Sequence, residues 1–283
     1  MSELRLGLVG VESSHAVHFT RLLNSGQVAG GKVVAVWGET PTAGQTFAQQ
    51  MGIHRCVSTL EELCHEVDGV LICGRWGEDH LWQAKPFLEA GLPTFVDKPL
   101  AHTLSAAQAI IELAQAYQAP LMSGTALRFA REMQELAANR ARLGRLTLIV
   151  STGPAFGTLP DPRARGLTFY GIHAAEVLVS LAGRGGQVVG HQVTPYGYLV
   201  SLTYPDGHMG VLHLPRSTRP YYHVAVYGAE GCHAVEITDV DGFYSGLLRS
   251  FLQMVRSRVP AVSPEDSLEA LRILSVLDPQ IAH

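Results

Sequence analysis

The sequence predicts a two-domain α/β chain: a parallel sheet wound with helices over residues 1–125, then an α+β domain on an open, mainly antiparallel sheet over residues 126–283. Three observations predict it. The first 125 residues alternate short apolar runs with helix-period segments, and strands separated by helices pair in parallel. Beyond Arg145 the pattern changes to consecutive strand-like runs joined by short turns, which read as antiparallel. The length of 283 residues also exceeds one ordinary domain.

Leu4–Val9 is an apolar run closed by Gly10 and reads as a buried strand. His15–Leu23 has helical spacing, with Ser13 and Ser14 placed to cap it. Lys32–Trp37 is the second strand, and Thr42–Met51 is a helix stopped by Gly52. Thr59 with Glu62 three residues on forms a capping signature for a short helix to Val67. Gly69–Cys73 is a strand. His80–Ala90 is a helix with Leu81, Ala84 and Leu88 on one face, ended by Gly91. Pro93–Val96, a helix over Ser105–Gln118 and a last strand at Pro120–Ser123 complete the first domain. In the second, Leu146–Ser151 is a strand, and a loop rich in Pro and Gly spans 152–165. A helix follows over Tyr170–Ala182, the only one expected in this half of the domain. Strands are expected at 188–194, 198–204, 210–214 and 223–227, with a hairpin turn at Pro205-Asp206-Gly207. A final helix over Ser263–Leu277 packs on either domain.

Hydrophobic residues make up 47% of the chain and charged residues 16%, which supports a sizeable core and excludes a disordered chain. With a net charge of -4 and no stripe of Lys and Arg, no nucleic-acid partner is expected. No apolar run approaches the roughly 20 residues needed to span a bilayer. The N-terminus reads at once as a strand, without a signal-peptide core. Cys56, Cys64, Cys73 and Cys232 form no CxxC pair and no metal spacing, which fits a reducing compartment. A cytoplasmic protein with neither membrane nor metal partner is expected.

Parallel sheets of this kind bind ligands beyond the carboxyl ends of their strands, where Gly10, Gly38, Gly74 and Lys98 fall. The first strand–helix turn reads Gly10-Val11-Glu12-Ser13-Ser14-His15. A dinucleotide-binding fingerprint of Rossmann type has glycine at the positions of Gly10, Glu12 and His15, for the tight turn, the approach of the diphosphate and close helix–strand packing. Only the first is glycine, and Glu12 sets a carboxylate where a diphosphate would lie. The helix N-terminus and the hydroxyls of Ser13 and Ser14 still favour an anion. From this turn alone two readings stand level: a working dinucleotide turn, and one that has lost its ligand. Glu39 comes one residue after the place customary for a ribose-binding acid, held here by Gly38; it serves the ribose or is a solvated loop charge. Lys98, in Asp97-Lys98-Pro99, directly follows a strand. Desolvation there suits a lysine to proton transfer; the alternative is an ordinary surface lysine. Gly171-Ile172-His173 is placed at the start of its helix, where a neutral histidine serves as a base or a capping residue.

The chain resembles the Gfo/Idh/MocA (glucose–fructose oxidoreductase/inositol dehydrogenase) oxidoreductase family over nearly its whole length. The likeness rests on Gly7-Leu8-Val9-Gly10 with His18; Val34-Ala35-Val36 followed by Pro41; Asp68-Gly69-Val70-Leu71-Ile72 with His80; Glu89-Ala90-Gly91 and Asp97-Lys98-Pro99-Leu100-Ala101; Arg128-Phe129; and Gly171-Ile172-His173. The resemblance implies NAD or NADP as cofactor and hydride transfer to or from a small hydroxylated or carbonyl substrate, sugar- or polyol-like. It implies that Lys98 positions substrate and nicotinamide and that His173 relays the proton. On the cofactor side it points to Gly10, Glu12, Ser13, Ser14, His15, Glu39, Gly74, Arg75, His80, Asp97 and Lys98. At the substrate it points to Lys98, Arg128, Tyr170 and His173. It also implies a homo-oligomer, dimer or tetramer, paired through the second sheet. Two positions depart from the family pattern: Asp97 stands where glutamate is usual, and Phe169 where aspartate usually lies four residues before the histidine. Glu12, His15, Gly38 and Phe169 keep a second reading open, a non-catalytic or regulatory binding protein on the same fold that has lost hydride chemistry.

Overall fold

A computed structural model describes residues 2–156, 161, 166–216 and 221–282. The chain forms two compact units, Met1–Gly124 with Tyr244–Pro264, and Thr125–Phe243 with Glu265–His283.

The first unit runs β1 (Leu4–Val9), α1 (Ser14–Asn24), β2 (Gly31–Trp37), α2 (Pro41–Met51), β3 (Arg55–Cys56), α3 (Leu60–Cys64), β4 (Gly69–Ile72), α4 (His80–Glu89), β5 (Thr94–Val96), α5 (Leu104–Ala116) and β6 (Leu121–Ser123). Its six strands pair in parallel in the order β3-β2-β1-β4-β5-β6. The order reverses at β1, so the switch point where such sheets take ligands lies past the carboxyl ends of β1 and β4. Leu6, Leu8, Leu71, Ile72 and Phe95 are completely buried, as strands covered on both faces must be. Ser13 and Thr59 open their helices as expected, and Thr40 adds an unforeseen cap to α2, which begins at Pro41. Ser13 Oγ accepts the N–H of Ala16 at 3.2 Å, and Thr40 Oγ1 that of Ala43 at 3.1 Å. Glu62 reaches back to the N–H of Thr59 at 3.2 Å. The short helix begun there stops at Cys64 and not at Val67, because the chain must exchange main-chain and carboxylate bonds between Asp68 and Arg5 to enter β4.

One helix of this sheet's cover was not predicted. α8 (Val240–Ser257) buries Leu247, Leu248, Phe251 and Leu252, and its residues from Tyr244 belong to the first unit. A Cβ on Gly31 of β2 would fall 2.4 Å from a methyl of Leu252, so a glycine there admits the helix. Gly242 and Gly246 each cost about 1 kcal/mol of helix propensity. The apolar stripe outweighs them.

The second unit contains a 3-10 turn (Ala126–Phe129), α6 (Arg131–Asn139), β7 (Leu146–Thr152), α7 (Leu167–Ala182), β8 (Gln187–Thr194), β9 (Gly197–Thr203), β10 (Met209–Pro215), β11 (His223–Gly228), β12 (Gly231–Glu236) and α9 (Pro264–Ser275). The strand order is β12-β11-β7-β10-β9-β8, antiparallel throughout except between β10 and β7. Gly207, at φ +88°, makes the predicted hairpin turn between β9 and β10. Val200, Leu202, Leu212, Leu214, Val224 and Val226 are buried, while β8 is exposed along most of its length. Three expectations are corrected. The 3-10 turn and α6 precede α7, which is therefore not the only helix of this half. β12 adds a strand. And α7 opens at Leu167 after an extended Gly166, which puts His173 in its second turn and not at its N-terminus. The helix starts early because Leu167 and Thr168 are buried with the rest of its length. Much of the predicted 152–165 loop lies outside the described residues. Among the described residues, no helix is long and apolar enough to cross a membrane.

Candidate active site

Gly10 has φ +86°, and a Cβ on it would fall 2.5 Å from the main-chain nitrogen of Gly74. The turns after β1 and β4 therefore touch backbone to backbone, which only glycine allows. Side chains replace the missing glycines of the first turn. Both carboxylate oxygens of Glu39 accept the N–H of Val11, at 3.1 and 3.0 Å, so Glu39 is neither a loose surface charge nor distant from the turn. Arg75, from the turn after β4, donates to the main-chain oxygen of Glu12 and brings a cation beside that exposed carboxylate-bearing residue. Ser13 is engaged in capping α1, and Ser14 is exposed as its first residue. Past the ends of β2 and β3 a cavity of about 270 Å³ opens between Trp37, Glu39, Thr40, Gln45 and Ser58.

His15 fills the third glycine position, with its Nδ1 2.6 Å from Oδ2 of Asp97. Oδ1 of the same carboxylate accepts the main-chain N–H of Lys98 at 2.8 Å. Burial pushes the Asp97 carboxyl up, but His15 beside it and bonded to it, with Lys98, more than reverses that and holds it at about 2. His80 is completely buried, its two ring nitrogens 2.8 Å from the carbonyl oxygens of Pro99 and Gly74. It fastens the Gly74 and Pro99 loops together, a structural role beside the cofactor-side position expected of it.

In the second unit, His173 Nδ1 lies 2.8 Å from the hydroxyl of Thr125. Around its ring stand Tyr222 at 5.5 Å and Tyr170 at 6.4 Å between centroids, with Phe169 against Tyr170 at 5.2 Å. One turn further along α7, Glu176 is completely buried. Its carboxylate accepts the N–H of Thr125 and, at 2.7 Å, the hydroxyl of Ser267. Arg128 pairs with Asp266 at 2.7 Å. That ion pair braces the 3-10 turn against α9, a structural use for a residue expected at the substrate. Among the described residues no group of three His, Cys, Asp or Glu side chains could hold a metal.

Residues 4–125 match the family described as "Oxidoreductase family, NAD-binding Rossmann fold", Gfo/Idh/MocA. Over this domain the chain is similar to the Gfo/Idh/MocA oxidoreductase family. An inositol 2-dehydrogenase/D-chiro-inositol 3-dehydrogenase of Halalkalibacterium halodurans is 32% identical over 112 residues, 38% of this chain. The matched stretch spans only 31% of that relative's own length. Two solved structures share the fold along nearly the whole chain. GenD2 from gentamicin A biosynthesis, in complex with NAD, has a TM-score of 0.81 at 19% identity, covering 97% of this chain and 93% of that one. The aldose–aldose oxidoreductase of Caulobacter crescentus, complexed with glycerol, has a TM-score of 0.81 at 18% identity, covering 98% and 96%.

Within the family-matched domain, the sequence brought Gly10, Glu12, Glu39, Gly74 and Arg75 into view, and the structure gathers them around two adjoining turns. The residues missed are the partners. Thr125 and Glu176 lie 48 residues from His173 and three residues after it, respectively. A glutamate amid the apolar run of α7 was the available signal, since an unpaired charge is almost never fully buried.

Proposed function

We propose that the chain is an NAD(P)-dependent oxidoreductase moving a hydride between a nicotinamide and a small hydroxylated or carbonyl substrate, sugar- or polyol-like. The observation that carries it is the end of β5 in a family-matched Rossmann domain, where Lys98 follows a buried, ionised Asp97 at the ligand-binding edge of the sheet. The residues present fit a dinucleotide. The N-terminus of α1 and Arg75 suit the diphosphate; the Glu39 carboxylate, held by Val11, suits a ribose diol; and Trp37 and Thr40 line a cavity suited to the adenosine end. A bound nicotinamide supplies the hydride acceptor or donor. The protein supplies orientation and the path of one proton, because oxidising a carbinol releases a proton from its oxygen. Lys98 and His173 are the groups we assign to hold and relay it. The contact of His173 Nδ1 with the Thr125 hydroxyl orients the ring for that task. Phe169 leaves this helix without a second carboxylate at that turn, so these two groups carry more of the load.

Calorimetric titration of the cofactor-stripped protein with NADH and NADPH tests the reading. Micromolar to sub-millimolar binding of either is expected. No response to either at millimolar concentration would favour the non-catalytic binding protein, a reading that the exposed Glu12 in the turn keeps specific. We also propose a cytoplasmic homo-oligomer, dimer or tetramer, joined through the second sheet, where Val189, Val193 and Tyr196 are 57–86% exposed. Light scattering at a monomer mass near 30.5 kDa would refute the oligomer.

A further inference from the structure

Asp97 is 5% exposed and its two oxygens are bound by different elements. Oδ2 meets Nδ1 of His15, in the first turn of α1, at 2.6 Å, and Oδ1 takes the N–H of Lys98 at 2.8 Å. The His15 ring is fixed in turn. It packs against Phe19 at 5.7 Å and meets Tyr244 edge-on at 5.2 Å, while Tyr244 also stacks on His18 at 5.1 Å. A glycine at this point of the fingerprint would leave no side chain and no donor. We propose that His15 is a positioning residue for Lys98, acting through the Asp97 carboxylate. The proposal rests on Lys98 having the role assigned above.

The reasoning is geometric. The main-chain N–H of Lys98 belongs to the peptide that enters that residue, so fixing its direction fixes that peptide plane, and Pro99 narrows the rotation left at Lys98 from which the long side chain starts. Asp97 can fix it only while the carboxylate itself is held, and a buried carboxylate deprived of its partner turns toward another donor. His15 is the side chain that holds the far oxygen. Two departures, histidine where the dinucleotide fingerprint has glycine and aspartate where the family usually has glutamate, thus meet in one contact. The shorter acid reaches a donor that the usual glycine would not provide.

The full-length protein tests this with and without cofactor. His15→Leu keeps bulk but removes the donor; His15→Asn keeps a nitrogen donor near the place of Nδ1. In the isotope-labelled apoprotein, H15L should move the Lys98 main-chain amide resonance and raise the Asp97 carboxyl titration above about 2, and H15N should reverse most of both changes. An unmoved Lys98 amide in H15L overturns the proposal. So does an H15L chain that fails to fold while H15N matches wild type, since the pair would then be a staple of the fold only. With myo-inositol and NAD⁺ as the probe pair, H15L should lower kcat by roughly 10–100-fold with KM nearly unchanged, and H15N should recover at least about ten-fold of that loss. Lys98→Met is run beside them. Loss in K98M without loss in H15L overturns the positioning role and leaves the Lys98 assignment standing. Retained turnover in K98M ends that assignment, and with it the proposal, whatever the resonances show.

Discussion

Each unit carries one residue assigned to the proton, and each steadies it from a buried carboxylate, but by different means. Asp97 faces a histidine at 2.6 Å and passes its other oxygen to the Lys98 amide. Glu176 accepts a main-chain N–H from Thr125 and a hydroxyl from Ser267, and it is the Thr125 hydroxyl that goes on to His173. The first arrangement is charge-compensated and answers to pH. The second answers to geometry, since removing the acceptor strands two buried donors at once. The two arrangements should therefore fail under different insults.

The largest expected effect is on turnover. K98M and H173A should each lower kcat on the order of a hundred- to ten-thousand-fold, with dinucleotide affinity by calorimetry little changed. If one variant loses activity and the other does not, the proton passes through one unit alone. Next comes stability in the second unit. Glu176→Leu leaves the Thr125 N–H and the Ser267 hydroxyl without their acceptor and should cost about 3 kcal/mol in urea denaturation, whereas Glu176→Gln, which keeps one oxygen, should cost about 1 kcal/mol. Equal losses would show that the charge, not the hydrogen bonding, matters there. The third effect is acidic. Asp97 titrates at about 2 against an ordinary 3.8, so it contributes about 2 kcal/mol that is present above the ordinary value and lost as pH falls from 3.8 toward 2. The stability difference between wild type and Asp97→Asn should shrink across that window. A difference that stays constant would mean that His15 does not hold the carboxylate. The smallest effect belongs to the first turn, where Glu12→Gly should tighten NADH roughly five-fold, worth about 1 kcal/mol, by removing a like charge from the diphosphate site. Weaker binding in E12G would mean that the bond from Arg75 depends on this residue's conformation.

Sequence reading found what is written locally. The Gly10 turn, the Asp97-Lys98-Pro99 phrase, the Ser13 and Gly52 caps and the Thr59–Glu62 box are short signals whose physics is complete within a few residues. It did not find what depends on distant partners. The Glu39–Val11 bond joins residues 28 apart and the His15–Asp97 pair residues 82 apart, so neither spacing nor composition announces them. Arg128 and His80 were visible as residue types, but their partners Asp266, Pro99 and Gly74 were not. α8 escaped because two glycines interrupt its pattern. The start of α7 was misplaced because a helix buried nearly all round has no polar face to mark its phase.

The ends of the two sheets differ in a way that bears on how the protein behaves in crowded or heated solution. The first sheet finishes on strands of two and three residues, β3 and β6, too short to template a neighbour. The second finishes on β8, eight residues long, which among the described residues pairs with β9 alone and exposes Val189 and Val193. Such a rim offers a row of main-chain donors and acceptors to any extended chain that meets it. The bulge between Val188 and Gly190 bends part of that row out of line. If two molecules zip together under stress, this rim is where the seam would begin.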